Sequence, residues 1–93
     1  MFIVVHHTIT DAPTAFSRGQ NLLDGTGAPP GVWVREFYPS QDRSSVFCLW
    51  EANSLPELRE YVDTTLGDAS ENAYFEVDAV QARGLPEEVT ARA

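Results

Sequence analysis

Apolar and polar positions along the chain fall into six short segments separated by turn-forming residues. Phe2 to Thr8 (FIVVHHT) is β-branched, aromatic and short, the composition of a strand. Asp11-Ala12-Pro13 reads as a helix start, an acidic cap followed by proline in the first turn. The helix it begins runs to about Leu23 and buries Phe16, Leu22 and Leu23, with Gly19 weakening it by roughly 1 kcal/mol relative to alanine. Residues 24–31 (DGTGAPPG) exclude regular structure. Val32 to Tyr38 and Ser44 to Ala52 are two strands joined by the polar turn 39–43, a hairpin. Ser54-Leu55-Pro56-Glu57 is a capping box, and Leu58, Tyr61, Val62 and Leu66 then recur at helical spacing until Gly67. Asn72 to Gln81 alternates, with Phe75, Val77 and Ala79 apolar and Tyr74, Glu76 and Asp78 polar.

The order strand, helix, strand, strand, helix, strand predicts an α+β fold. Right-handed crossovers assemble it into a ferredoxin-like βαββαβ plait. The expected sheet has four antiparallel strands in the order 4-1-3-2, with both helices on one face. Residues 1–83 make the single domain, and the polar stretch 84–93 reads as a loose tail or an arm that packs on a partner.

Helices on one face leave the other open. Phe47 and Leu49 read as helix-side core, which puts Val46, Cys48 and Trp50 on the open face together with Tyr74 and Glu76. An apolar patch of that kind predicts an interface, a homodimer with C2 symmetry through Val46, Cys48, Trp50 and Tyr74.

Charge narrows the partners. Fourteen acidic residues against six arginines and no lysine give a net charge of −8. A phosphate backbone and an anionic membrane surface are both disfavoured, so neither nucleic acid nor membrane is expected as a partner. No segment approaches the ~20 apolar residues of a membrane span, and the N-terminus lacks the basic region of a secretion signal. The lone Cys48 cannot form an internal disulfide, which fits a reducing, cytoplasmic setting. Gly25-Thr26-Gly27 is a poor dinucleotide fingerprint, because two prolines stand where its helix would begin.

Candidate chemistry gathers at VVHHT. His6 and His7 point to opposite faces of strand one, at the end flanked by the early residues of strands three and four. One histidine therefore shares a face with Cys48 and Glu76. Imidazole, thiolate and carboxylate together form a ligand set for nickel, zinc or copper, or a site where a carboxylate tunes a proton-transferring histidine. Read singly, a lone cysteine such as Cys48 is more often a small core residue than a ligand and adjacent histidines more often solvent-facing or hydrogen-bonded than metallated, and a solvated face explains Glu76 equally well. The catalytic residues of any reaction are not legible.

FIVVHHT, VFCLWEA and YFEVDAV, spread over roughly residues 2–80, resemble a family of small bacterial proteins known mainly as a domain of unknown function. That family lies in the dimeric α+β barrel superfamily, and one branch is described as nickel-binding. The resemblance implies metal ligands at His6, His7 and Cys48, to which the residues add Glu76 or Glu51. The leading expectation is thus a small cytoplasmic metal-binding dimer. Two alternatives stand beside it. One is a cofactor-independent monooxygenase-like or other small-ligand enzyme, with substrate between helices and sheet, a histidine as base, and Trp33 or Trp50 packing the ligand. The other is a structural or regulatory dimer without a small ligand.

Overall fold

A computed structural model describes residues 1–88. Its elements follow the expected order: β1 (Phe2–Ile9), α1 (Ala12–Asp24), β2 (Trp33–Pro39), β3 (Ser45–Glu51), α2 (Leu55–Leu66), a single 3₁₀ turn (Gly67–Ala69) and β4 (Ser70–Glu76). The sheet order is β2-β3-β1-β4 with every pair antiparallel, the ferredoxin-like plait.

Local chemistry sets the helix ends. Asp11 caps α1, its carboxylate accepting from the Thr14 backbone N–H and hydroxyl. Gly25 closes that helix in the left-handed region at φ 75°, returning its N–H to Asn21 and Leu22. Ser54 caps α2 through the Glu57 N–H. Leu58, Val62 and Leu66 of α2 and Leu22 of α1 then pack on Ile3, Val5, Val46, Cys48 and Trp50 of the sheet.

That core reverses the expected faces. Val46, Cys48 and Trp50 lie beneath the helices, whereas Phe47 stands on the opposite face, 48% exposed. Tyr74 also faces the helices, its hydroxyl donating to Asp63 of α2, while Phe75 is exposed on the far side. The four residues expected at a dimer interface are therefore core or helix-packed. Both sets on β3 are apolar, and strand periodicity says which residues share a face but not which face is covered.

Two further departures explain how the other face is used. An extra residue at Arg35 breaks the β2–β3 register between Val34 and Glu36, a β-bulge. The bulge separates Trp33, opposite Glu51, from Phe37, opposite Cys48, so these two do not share a face. β4 ends at Glu76 rather than Gln81, because Asp78 starts a turn. Its carboxylate accepts from the Val80 N–H and its carbonyl from those of Gln81 and Ala82.

From that turn the chain runs back over the sheet. Val77, Ala82, Arg83 and Leu85 close a hollow with Val4, Phe47 and Leu49. Phe2, Leu49 and Glu51 point away from the helices and are nonetheless buried, Glu51 completely. Arg35 ties the layers together, its Nη1 reaching Glu51 Oε1 at 2.6 Å and the Glu87 carbonyl at 2.8 Å. The described part of the expected tail, residues 84–88, thus packs on its own sheet. Residues 89–93 lie outside the described residues. No helix among the described residues is long and apolar enough to cross a membrane.

Candidate functional site

The adjacent histidines answer to different faces, as strand alternation requires. His6 is on the face away from the helices, stacked on Phe47 with ring centroids 4.4 Å apart. Its Nε2 lies 3.3 Å from Ser45 Oγ. His7 is on the helix side and 3% exposed. Its Nδ1 lies 2.7 Å from Asn72 Oδ1, across the β1–β4 ladder.

The partners of Asn72 fix the proton on His7. Asn72 Nδ2 donates to the Asp63 carboxylate at 2.9 Å, so its amide oxygen must be the atom facing Nδ1. That oxygen also accepts from Ser70 Oγ at 2.8 Å. An oxygen can only accept, so Nδ1 carries the hydrogen and Nε2 keeps its lone pair in the neutral ring. Tyr74 completes the chain, donating to the same Asp63 oxygen at 2.6 Å. Burial, and next the bond to Asp63, hold the Tyr74 hydroxyl protonated well above the usual range. Burial lowers the His7 pKa more than the Asn72 bond raises it, so the ring is neutral at pH 7.

His7 Nε2 has no hydrogen-bond partner among the described residues and is not sealed in the core. His7 lines a cavity of about 230 Å³ between α1 and the sheet. The helix wall is Ala15, Phe16, Gly19, Leu22 and Leu23. The sheet contributes His7, Phe37, Val46, Cys48 and Trp50, and Leu66 of α2 closes one end. Gln20 is the other polar side chain of the lining. No arginine, aspartate or glutamate reaches it. Trp50 stands edge-on to Tyr61, with ring centroids 6.2 Å apart. Its indole N–H is buried near Cys48 but has no partner in hydrogen-bonding geometry.

Gly19 bears on why the cavity exists. A Cβ there would meet nothing closer than Leu66 Cδ2, at 4.0 Å, so no steric clash demands glycine in mid-helix. Glycine costs helix stability, and here it also leaves the wall recessed. Gly19→Ala is therefore expected to raise stability by about 0.5–1 kcal/mol, read as a higher urea midpoint with unchanged slope. A loss of stability would show that the recess is needed for packing.

Of the proposed metal ligands, His7, Cys48 and Glu76 share the helix-side face as expected, but only His7 and Cys48 are neighbours, both lining the cavity. His6 and His7 are separated by the sheet. Cys48 is the diagonal neighbour of His7 across the β1–β3 ladder. Burial pushes its thiol up to about 12, so it is not a thiolate at neutral pH. Glu76 pairs with Ile3, four residues along β4 from Asn72, or about 13 Å of strand. Glu51, the other carboxylate considered, lies on the arm-covered face with Arg35. Among the described residues, no three His, Cys, Asp or Glu side chains are placed to hold one ion.

No family model, curated protein or solved structure matches the chain. Geometry alone carries the functional reading.

Sequence reasoning missed Asn72, Asp63 and Gly19 as parts of this site, and Phe16 and Phe37 as its walls. One signal was present: a glycine within the α1 pattern, which periodicity registers only as a weak helix. Asn72 and Asp63 left no local trace, since their relation to His7 exists only across the β1–β4 ladder and the packing of α2.

Proposed function

We propose that this protein takes up a small organic molecule between α1 and the sheet and acts on it as a small-ligand enzyme, with His7 as proton acceptor. The observation that carries the reading is a buried imidazole in the lining of a largely apolar cavity, its Nδ1 bonded to Asn72 and its Nε2 without a partner among the described residues. Convergence of few polar groups in an apolar recess is the usual character of a ligand site. A general base needs a lone pair at the ligand, a fixed tautomer and a pKa near working pH. Nε2 supplies the first and the Asn72 bond the second; burial lowers the His7 pKa, and the Asn72 bond opposes that lowering.

The proton step follows from the network. A proton leaving the ligand binds Nε2 and makes an imidazolium. Its Nδ1–H keeps its bond to Asn72 Oδ1, and the Asp63 carboxylate behind Asn72 favours the new charge. Asp63 is exposed, so that stabilisation is modest and screened by salt. Trp50 and Phe37 pack the ligand; Trp33 is not part of the cavity wall.

The volume limits the ligand. Drug-sized sites begin near 300 Å³, and an apolar cavity of about 150 Å³ accepts benzene. The space here suits one ring with a few substituent atoms. Screening single-ring and short aliphatic compounds by protein NMR tests the reading. Binders are expected to shift Phe16, Phe37 and Trp50 resonances, and Gly19→Leu, which fills the recess, is expected to abolish those shifts. A screen with no binder at millimolar concentration, or binding indifferent to Gly19→Leu, defeats it.

A further inference from the structure

The lining specifies more than size, and the selectivity it implies rests on the small-ligand reading. We infer that the cavity selects an uncharged single-ring hydroxyl compound of the phenol type, whose O–H donates to His7 Nε2.

Three observations converge. First, the hydrogen-bond polarity of His7 is fixed from behind: Asn72 Oδ1 takes the Nδ1 hydrogen, so the neutral ring offers the cavity an acceptor and no donor. A ligand carbonyl or ether oxygen finds nothing to accept from at that atom, whereas a hydroxyl does. Second, the walls carry no cation. No arginine reaches the lining, the chain has no lysine, and its net charge is −8. A carboxylate or phosphate would lose its hydration without a counter-charge, which costs far more than the site can return. Third, the apolar walls present aromatic surfaces, Phe16 from the helix side and Phe37 and Trp50 from the sheet. Rings pack well against such faces, edge-on or offset. Gly19 removes a side chain from the opposing wall where nothing sterically forbids one, leaving room for the ring.

Discrimination should be sharp for a physical reason. An apolar analogue of the same shape would strip water from Nε2 and give no hydrogen bond in return. Sites built to bond a hydroxyl reject the analogue that lacks it for that reason.

The test uses four probes on one frame: 4-ethylphenol, ethylbenzene, 4-ethylanisole and 4-ethylbenzoate. Each is titrated into the whole chain at pH 7.5 and followed by protein NMR, with ¹⁵N-labelled histidine reporting on Nε2 directly. 4-Ethylphenol is expected to bind at least tenfold tighter than ethylbenzene or 4-ethylanisole and to move the His7 Nε2 resonance upfield, with 4-ethylbenzoate not binding. In His7→Leu the preference for the phenol is expected to vanish while ethylbenzene still binds. The Nε2 signature in the wild type decides the matter even where that variant does not fold. Ethylbenzene binding as tightly as 4-ethylphenol, or a phenol that leaves Nε2 unmoved, overturns the inference but leaves the cavity a ligand site. If none of the four binds, the inference falls; if the wider screen is also blank, the small-ligand reading falls with it.

Discussion

Trp50→Ala is expected to cost about 3–5 kcal/mol of stability, the largest loss of any single cavity-wall residue. Trp50 is 1% exposed and sits near the end of β3, between Ile3 on β1 and Val34 on β2. Truncation removes the sheet-side wall of the cavity and the edge-on contact with Tyr61. The void would join the existing space beneath α1, which the surrounding side chains cannot collapse to fill. A domain of 93 residues has a total stability of about 5–15 kcal/mol, so the variant should be near the edge of folding at 37 °C. Trp50→Phe separates two contributions. It keeps an aromatic plane and deletes the indole N–H, which is buried without a partner. An unsatisfied buried donor costs about 1–3 kcal/mol, and losing it offsets part of the lost volume. Trp50→Phe is accordingly expected to cost less than about 1.5 kcal/mol. Urea denaturation of both variants checks this. A Trp50→Phe loss well above about 1.5 kcal/mol would mean that the indole N–H is satisfied in the folded protein.

Acidification is expected to destabilise the protein from about pH 6.5 downward, with His7 as the cause. Burial holds the folded-state pKa of His7 below 6.5. The unfolded chain therefore takes the proton more readily than the folded one, and stability falls as pH drops through that interval. Each unit of depression is worth about 1.4 kcal/mol once both states are protonated. His6 faces the opposite side of the sheet and does not share this environment. Asp42 is distinguishable by its window. Hydrogen bonds from Ser44 and Ser40 hold its carboxyl at about 2, so its contribution is lost only below about pH 4. Asn72→Leu sharpens the test, because the Asn72 bond is what partly restores the basicity of His7. That variant is expected to be about 1–3 kcal/mol less stable at pH 7.5, to lose still more on acidification, and to show His7 in a mixture of tautomers by ¹⁵N shifts. A flat profile between pH 7 and 5, or an unchanged single tautomer in Asn72→Leu, would show that the network does not hold the ring.

The arm covers only part of the sheet face that the helices leave open; Trp33, Tyr38, Phe47 and Phe75 on that face stay exposed. Residues 77–88 bury Phe2, Leu49 and the Arg35–Glu51 pair from the chain's own C-terminal side. Nothing in GLPEEVTARA announces this. The stretch is polar, and its described part is held by a backbone carbonyl, that of Glu87, which every residue carries. The bulge at Arg35 is equally silent in sequence, yet it aims the guanidinium at Glu51 and turns Phe37 into the cavity.

Order and type of elements were settled by the chain itself. Capping residues Asp11 and Ser54, the 3.6-residue stripe through Leu58, Val62 and Leu66, and the apolar runs of β1 and β3 are local signals that tertiary packing does not contradict. Connectivity rules then left the 4-1-3-2 sheet as the compact solution. Alternation also determined that His6 and His7 lie on opposite faces. Which face would be inside was decided only by the tertiary structure. Val46-Phe47-Cys48-Leu49-Trp50 is apolar on both sides, and a period of two carries no preference between them. The choice is made by the partners each side finds: α1 and α2 over Cys48 and Trp50, the C-terminal arm over Leu49 and Glu51. That choice buried His7, set Asn72 against its Nδ1, and put the ring in the lining of the space beside Gly19.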